Sequence, residues 1–90
     1  MVKAELSISE YHAHIYFQDG TRSSAEAFYE KIGERFGDRI KRNSIAYGPR
    51  GPHVSNMFGL DIPLSEFTEV LSFLILNRGK HSILIHPVTA

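Results

Sequence analysis

Residues 10–17 read EYHAHIYF, and this stretch decides the architecture of the chain. Successive side chains of a strand point to opposite faces, so the alternation separates an apolar set from a polar set. The apolar set is Tyr11, Ala13, Ile15 and Phe17, and the polar set is His12, His14 and Tyr16. The stretch therefore predicts a strand with one face on a core and an opposite face that begins with two imidazoles and a phenol.

Length and composition predict a single globular domain over residues 1–90. The formal net charge is +0, which argues against nucleic acid or a membrane surface as the main partner. The absence of cysteine excludes disulfides, thiolate zinc sites and iron–sulfur clusters. The sequence contains neither a signal-peptide core nor an apolar run of the ~20 residues that span a bilayer. We therefore expect a soluble, cytoplasmic protein.

Turn and periodicity signals predict the first half of the fold. Strand one covers residues 7–17, and a helix follows in which Ser23 and Glu26 have the spacing of a capping box. Gly37 occupies the place of a left-handed C-terminal cap. The apolar residues of this helix recur at helical intervals, at Ala25, Phe28, Ile32 and Phe36. A weaker strand is predicted over residues 39–47 and an irregular loop over 48–53.

The second half repeats the pattern. Strand three is predicted over residues 55–62, and Pro63 opens a helix over 64–77 that ends at Gly79. We expect this helix to bury Phe67, Val70, Leu71, Leu74 and Ile75. The last strand covers 82–86, where Ile83 and Ile85 face the core, and Pro87 ends the pairing.

The order β-α-β-β-α-β predicts an α+β fold, with one four-stranded antiparallel sheet and both helices on a single face. We expect strands one and three at the centre, parallel to each other, with strand four antiparallel beside strand one.

This layout predicts that histidines from three segments meet at one end of the sheet. His12 and His14 lie near the start of strand one, and His86 closes strand four. His53 precedes strand three, so parallel strands would bring it to the same end. Neighbouring strands are about 4.8 Å apart, which allows imidazole nitrogens to converge within ~2.1 Å of a shared metal ion. His81 starts strand four, belongs at the far end and is excluded.

The carboxylates nearest to these strands in sequence are Glu10 and Asp61. We expect Asp61 at the far end of strand three, away from the histidines. Whether a carboxylate completes a metal site is therefore left open.

Several segments together resemble the DOPA 4,5-dioxygenase family, small ring-opening dioxygenases for catechols. They are YHAHIYF at residues 11–17, TRSSAEAF at 21–28, GPH at 51–53 and SILIHPVT at 82–89. The resemblance covers essentially the whole chain. It implies a ferredoxin-like fold and a non-haem Fe(II) centre that binds a catechol and O₂, and it implies extradiol cleavage to a semialdehyde. Zn or Ni could replace iron in isolated protein.

The resemblance also implies roles for individual residues. His14, His53 and His86 are implied as metal ligands or acid–base residues. We assign movement of the catechol proton to His12, because an unperturbed imidazole pKa of about 6.5 suits that task. Tyr16 could donate a hydrogen bond to oxygen. The candidates for a substrate carboxylate are Arg22 and Arg78, although we expect both at the opposite end of the sheet from the histidines.

Other hypotheses remain for the same residues. The chain could be a non-catalytic module that binds a metal or a small ligand. It could also be a structural domain that forms a homodimer through its open sheet face, where Tyr16 and Leu84 would be buried against a second copy. Each site residue has a plainer interpretation as well: solvated strand histidines, an amphipathic surface tyrosine, and an Arg78 that only stabilises a helix end. A homodimer is compatible with every hypothesis.

Overall fold

The computed structural model describes residues 7–48 and 55–89, and its elements follow the predicted order. They are β1 (Ile8–Phe17), α1 (Arg22–Phe36), β2 (Lys41–Arg42), β3 (Asn56–Pro63), α2 (Phe67–Asn77) and β4 (Ser82–Thr89). The sheet order is β2-β3-β1-β4, and each neighbouring pair is antiparallel. This is the predicted ferredoxin-like α+β fold. Neither α1 nor α2 combines the length and the apolar character that crossing a membrane requires.

The predicted parallel orientation of strands one and three is wrong, because β1 and β3 are antiparallel. The helix crossover from β1 to β2 returns the chain to its starting end, so β2 runs in the direction of β1. The return from β2 to β3 then reverses the chain, and β3 must run against β1. As a result β3 begins opposite Phe17, at the end of β1, and finishes opposite Glu10, near its start.

The predicted alternation of β1 is confirmed by the burial of its side chains. Ala13 and Ile15 are fully buried, and both helices pack on this face of the sheet. The helices and β3 supply the rest of the core, chiefly Ala25, Phe28, Ile32, Phe36, Phe58, Leu60, Ile62, Val70 and Leu74. Each large aliphatic or aromatic side chain in this core contributes about 1.5–3 kcal/mol when fully buried.

The second helix is buried along a narrower stripe than predicted. Val70 and Leu74 are fully buried, and Phe67 stacks on Tyr11 with ring centroids 3.7 Å apart. The expected burial of Ile75 is wrong, since 61% of this residue is exposed. Residues 64–66 form a 3-10 turn before α2, and Pro63 closes β3 instead of opening the helix.

The start of α1 also differs from the prediction. The helix begins at Arg22, directly after a 3-10 turn over Asp19–Thr21, and Ser23 is inside its first turn. Ser23 therefore cannot act as the cap of a capping box. At the other end Gly37 ends the helix at φ 53° and ψ −132°. Its φ is positive, as predicted, but its ψ lies outside the region of the predicted left-handed cap.

The edge strands differ from their predicted lengths in opposite directions. Regular pairing of β2 covers only Lys41–Arg42, and the chain rejoins β3 at a single bridge between Ala46 and Met57. By contrast β4 continues past Pro87 to Thr89. Proline is tolerated there because β4 is an edge strand, in which a missing N–H need not be paired.

Candidate metal centre

Three histidines meet on the open face of the sheet. His12 lies directly opposite His86 in the β1–β4 pair, and His14 lies opposite Leu84. The His86 ring centroid is 5.3 Å from that of His12 and 5.4 Å from that of His14. One nitrogen from each of the three rings lies within 4.8 Å of the other two. In the part of the chain that the structure describes, imidazoles of the first and last strands thus converge.

The closest pair has a spacing that suits a shared cation. His14 Nε2 lies 3.3 Å from His86 Nε2. Two nitrogens that bind one ion at about 2.1 Å stand roughly 3–3.5 Å apart. Without an ion, the same two atoms can share one hydrogen bond when either of them carries a proton. The donor set, which consists of imidazoles, suits iron, zinc, copper and nickel.

The surroundings of His14 keep its ring neutral. Burial lowers the pKa of His14, and the nearby His86 and His12 lower it further. Its Nδ1 is buried and has no hydrogen-bond partner within residues 7–48 and 55–89. Gly59 lies opposite His14 on β3, and a Cβ there would stand 3.9 Å from this Nδ1. A neutral ring leaves a lone pair free, which is the state that metal binding requires.

Two carboxylates contact His12, and one of them corrects a prediction. His12 Nε2 lies 2.9 Å from Glu10 Oε2 and 3.4 Å from Asp61 Oδ1. The expectation that Asp61 lies far from the histidines is wrong, because the antiparallel register places it directly opposite His12. A signal for it was available: Asp61 is flanked by the buried Leu60 and Ile62, so strand alternation turns it to the open face.

These contacts specify which nitrogen of His12 is protonated. Ionised carboxylates only accept hydrogen bonds, so the shared nitrogen, Nε2, must be the donor. In the neutral ring the lone pair then lies on Nδ1. His12 therefore differs from His14 and His86, whose Nε2 atoms face each other.

The structure separates the remaining predicted residues. Tyr16 stands beside His14 on the open face, with ring centroids 6.4 Å apart. His81 is buried at the other end of the sheet, where its Nε2 lies 3.0 Å from Ser24 Oγ, so its predicted position away from His12 is confirmed. His53 lies outside the described residues. β3 begins at the opposite end of the sheet from His12, so the parallel strands from which the position of His53 was predicted do not occur.

The two arginines lie at the end of the sheet away from the histidines, as expected. Arg22 Nη2 is 3.2 Å from Asp19 Oδ1, and its guanidinium lies over the Tyr47 ring. Arg78 donates to the backbone carbonyl of His81 at 3.0 Å. Both guanidinium groups thus have protein partners, and neither approaches the histidine cluster.

Comparison with known proteins identifies the family. Residues 11–90 match the sequence pattern of the Dopa 4,5-dioxygenase family. Over 91 aligned residues, the chain is 31% identical to the DOPA 4,5-dioxygenase of Amanita muscaria, an alignment that covers 91% of the chain but 39% of that relative. The crystal structure of a protein from Nostoc punctiforme, described as a "putative dioxygenase", superposes with a TM-score of 0.81 at 34% identity, covering 92% of this chain and 70% of that one. The chain belongs to the Dopa 4,5-dioxygenase family.

Proposed function

We propose that the chain opens the ring of a catechol with O₂ at a non-haem Fe(II) centre, by extradiol cleavage to a semialdehyde. The observation that carries this proposal is the convergence of His12, His14 and His86 within 4.8 Å on an open sheet face. Family membership supports a dioxygenase, and the name of the Amanita muscaria relative makes L-DOPA the first substrate to test. The chain spans 39% of that relative's length, so we propose this activity for the chain from the site and the family together.

The ring nitrogens of His14 and His86 fit such a metal in spacing and chemistry. We propose His14 and His86 as ligands, and His53 as the further ligand implied by the G-P-H motif. When bound, ferrous iron supplies the redox chemistry between the catechol ring and O₂. Both atoms of O₂ enter the product as the ring carbon–carbon bond next to the diol breaks, so no external reductant is required.

The protein's own side chains would remove the catechol proton. His12 Nε2 is engaged with Glu10 and Asp61, which leaves its Nδ1 as the base for a catechol hydroxyl. The hydroxyl of Tyr16, on the same face beside His14, is a donor for a substrate oxygen.

Arg22 and Arg78 keep their predicted role only for a substrate group that reaches the opposite end of the sheet. Each would also have to exchange an existing protein contact for the substrate. The homodimer through the open face stays a prediction, which light scattering on the purified protein would check.

Oxygen uptake after anaerobic loading with Fe(II) tests the proposal. L-DOPA, catechol and protocatechuate are the trial substrates, and the expected result is one O₂ consumed per ring opened, with a coloured semialdehyde as product. Tight metal binding without oxygen uptake would favour the non-catalytic module instead. Failure to retain stoichiometric metal under anaerobic conditions would contradict both hypotheses.

A further inference from the structure

A cavity of about 440 Å³ lies at the end of β1 that is remote from His12. The residues that line it include Tyr16, Thr21, Ser55, Lys80, His81 and Ser82. Its volume is in the range of small-molecule sites, roughly 300–1,000 Å³.

Tyr16 connects the cavity to the histidine cluster. It follows His14 on the open face of β1, about 6.6 Å along the strand, and it also lines the cavity. On the neighbouring strand Ser82 lies opposite Tyr16, and Leu84 lies opposite His14. A molecule with its aromatic ring beside His14 could therefore extend past Tyr16 into the cavity.

The charge of the cavity is positive. Lys80 is its single cationic side chain at neutral pH, because burial lowers the pKa of His81, and no acidic residue is among the lining residues. The hydroxyl groups of Ser55 and Ser82 add hydrogen-bond donors. Lys80 makes no ion pair with any residue in 7–48 or 55–89. Its ammonium group is thus available to an anion.

The turn after α2 holds Lys80 at this position. Gly79 adopts φ 59°, a conformation that side chains disfavour, and His81 N donates to the Arg78 carbonyl at 3.0 Å. The depression beside His12, by contrast, is lined by three carboxylates, from Glu10, Asp38 and Asp61, and by the cations Arg39 and Lys41. The Arg39 guanidinium is already paired with Glu66 and Glu69. A substrate carboxylate would therefore meet repulsion there.

We propose that the cavity binds the side-chain carboxylate of the substrate through Lys80. The inference rests on the proposed function and adds the residue that determines specificity: Lys80 would favour a catechol with a carboxylate on a short side chain over a simple catechol or a catechol amine. It also replaces Arg22 and Arg78, which already have protein partners, as the group that recognises the carboxylate.

The test compares two catechols that differ in the carboxylate. Zn(II)-loaded protein, which binds catechols without oxidising them, is titrated calorimetrically with 3-(3,4-dihydroxyphenyl)propionate and with 4-ethylcatechol. We expect the acid to bind more tightly than 4-ethylcatechol. Lys80→Met should lower the affinity for the acid by roughly 5- to 20-fold and leave the affinity for 4-ethylcatechol unchanged. Lys80→Arg should preserve most of the preference. Lys41→Met is the matched control and should leave both affinities unchanged.

The outcomes separate this inference from the proposed function. Loss of the preference in Lys41→Met, or its persistence in Lys80→Met, would overturn the role of Lys80. If the preference persisted in Lys80→Met while Fe(II)-loaded protein consumed O₂ with either catechol, the proposed function would stand without the carboxylate site. If neither catechol bound or was consumed, both proposals would be wrong.

Discussion

His12 and Asp61 face each other across the antiparallel β1–β3 pair, with His12 Nε2 3.4 Å from Asp61 Oδ1. Glu10, two residues before His12 on the same face of β1, approaches this nitrogen at 2.9 Å. Together the two carboxylates fix the orientation of the imidazole and direct its other nitrogen away from them. His12, Glu10 and Asp61 therefore form a contacting polar group on the open face, and they are not three separately solvated side chains.

Removing both carboxylate charges should weaken metal binding. In Glu10→Gln/Asp61→Asn, the cluster loses two negative charges close to the proposed cation, and we expect roughly a 10-fold loss of Zn(II) affinity in a competition titration with a chelator. Glu34→Gln, on the exposed side of α1, is the control and should not change the affinity. Long-range ¹H–¹⁵N spectra of the metal-free protein should show His12 protonated at Nε2. A wild-type ring protonated at Nδ1 would contradict the assignment.

His86 and His81 should behave differently when each is replaced by alanine. His86→Ala removes a ring whose Nε2 is 3.3 Å from His14 Nε2, so stoichiometric metal binding should be lost while the exposed position leaves folding intact. His81→Ala should retain metal but lower the stability, because it removes a buried ring that stacks on Phe28. Metal analysis after desalting, together with circular dichroism, checks both. Equal metal contents in the two variants would refute the cluster. His53→Ala tests the G-P-H ligand in the same assay.

The stability of the metal-free protein should fall on mild acidification. Burial lowers the pKa of His14 and of His81 below the ordinary value of 6.5. The unfolded chain therefore binds more protons than the folded chain between that value and the folded pKa, and the free energy of unfolding decreases as the pH falls through this window. Urea unfolding at about pH 7.5 and about pH 5 measures the difference. His81→Gln should reduce the difference; an unchanged pH dependence in this variant would contradict the assignment to His81.

Gly37 should be intolerant of a side chain, whereas Gly20 should accept one. At φ 53° and ψ −132° Gly37 has a backbone conformation that is almost restricted to glycine, so Gly37→Ala should cost about 1–3 kcal/mol. Gly20 lies in a turn where an added Cβ meets no atom within 4 Å. Gly20→Ala should therefore change the stability by less than about 0.5 kcal/mol. Comparable losses for the two variants in chemical denaturation would show that the backbone of Gly37 is not the cause.

Local patterns predicted the elements better than their directions. The alternation around Ala13 and Ile15, and the helical spacing of Phe28 and Ile32, indicated the core because burial follows periodicity directly. Strand direction depends on the connections between strands along the whole chain. The wrong prediction that strands one and three are parallel therefore misplaced Asp61. The correct pairing of β1 with β4 nevertheless sufficed to bring His86 to His12.

The lengths of the edge strands β2 and β4 were also predicted wrongly. Pro87 would end a central strand, but β4 has a free edge and continues to Thr89. The segment after β2 looked like a continuous strand, yet it follows β3 only at isolated points such as Ala46. Periodicity does not distinguish a central strand from an edge strand, because that difference lies in the neighbours.

The two nitrogens that approach most closely in the cluster belong to residues 72 positions apart, His14 and His86. They can meet only after the last strand has docked on the first, so a nascent chain still missing β4 cannot assemble the pair. A cation that bridges the two rings would stabilise the completed sheet as a whole, by an amount that grows with the logarithm of the free ion concentration. Metal supply would then determine how long the finished protein persists as well as whether it reacts.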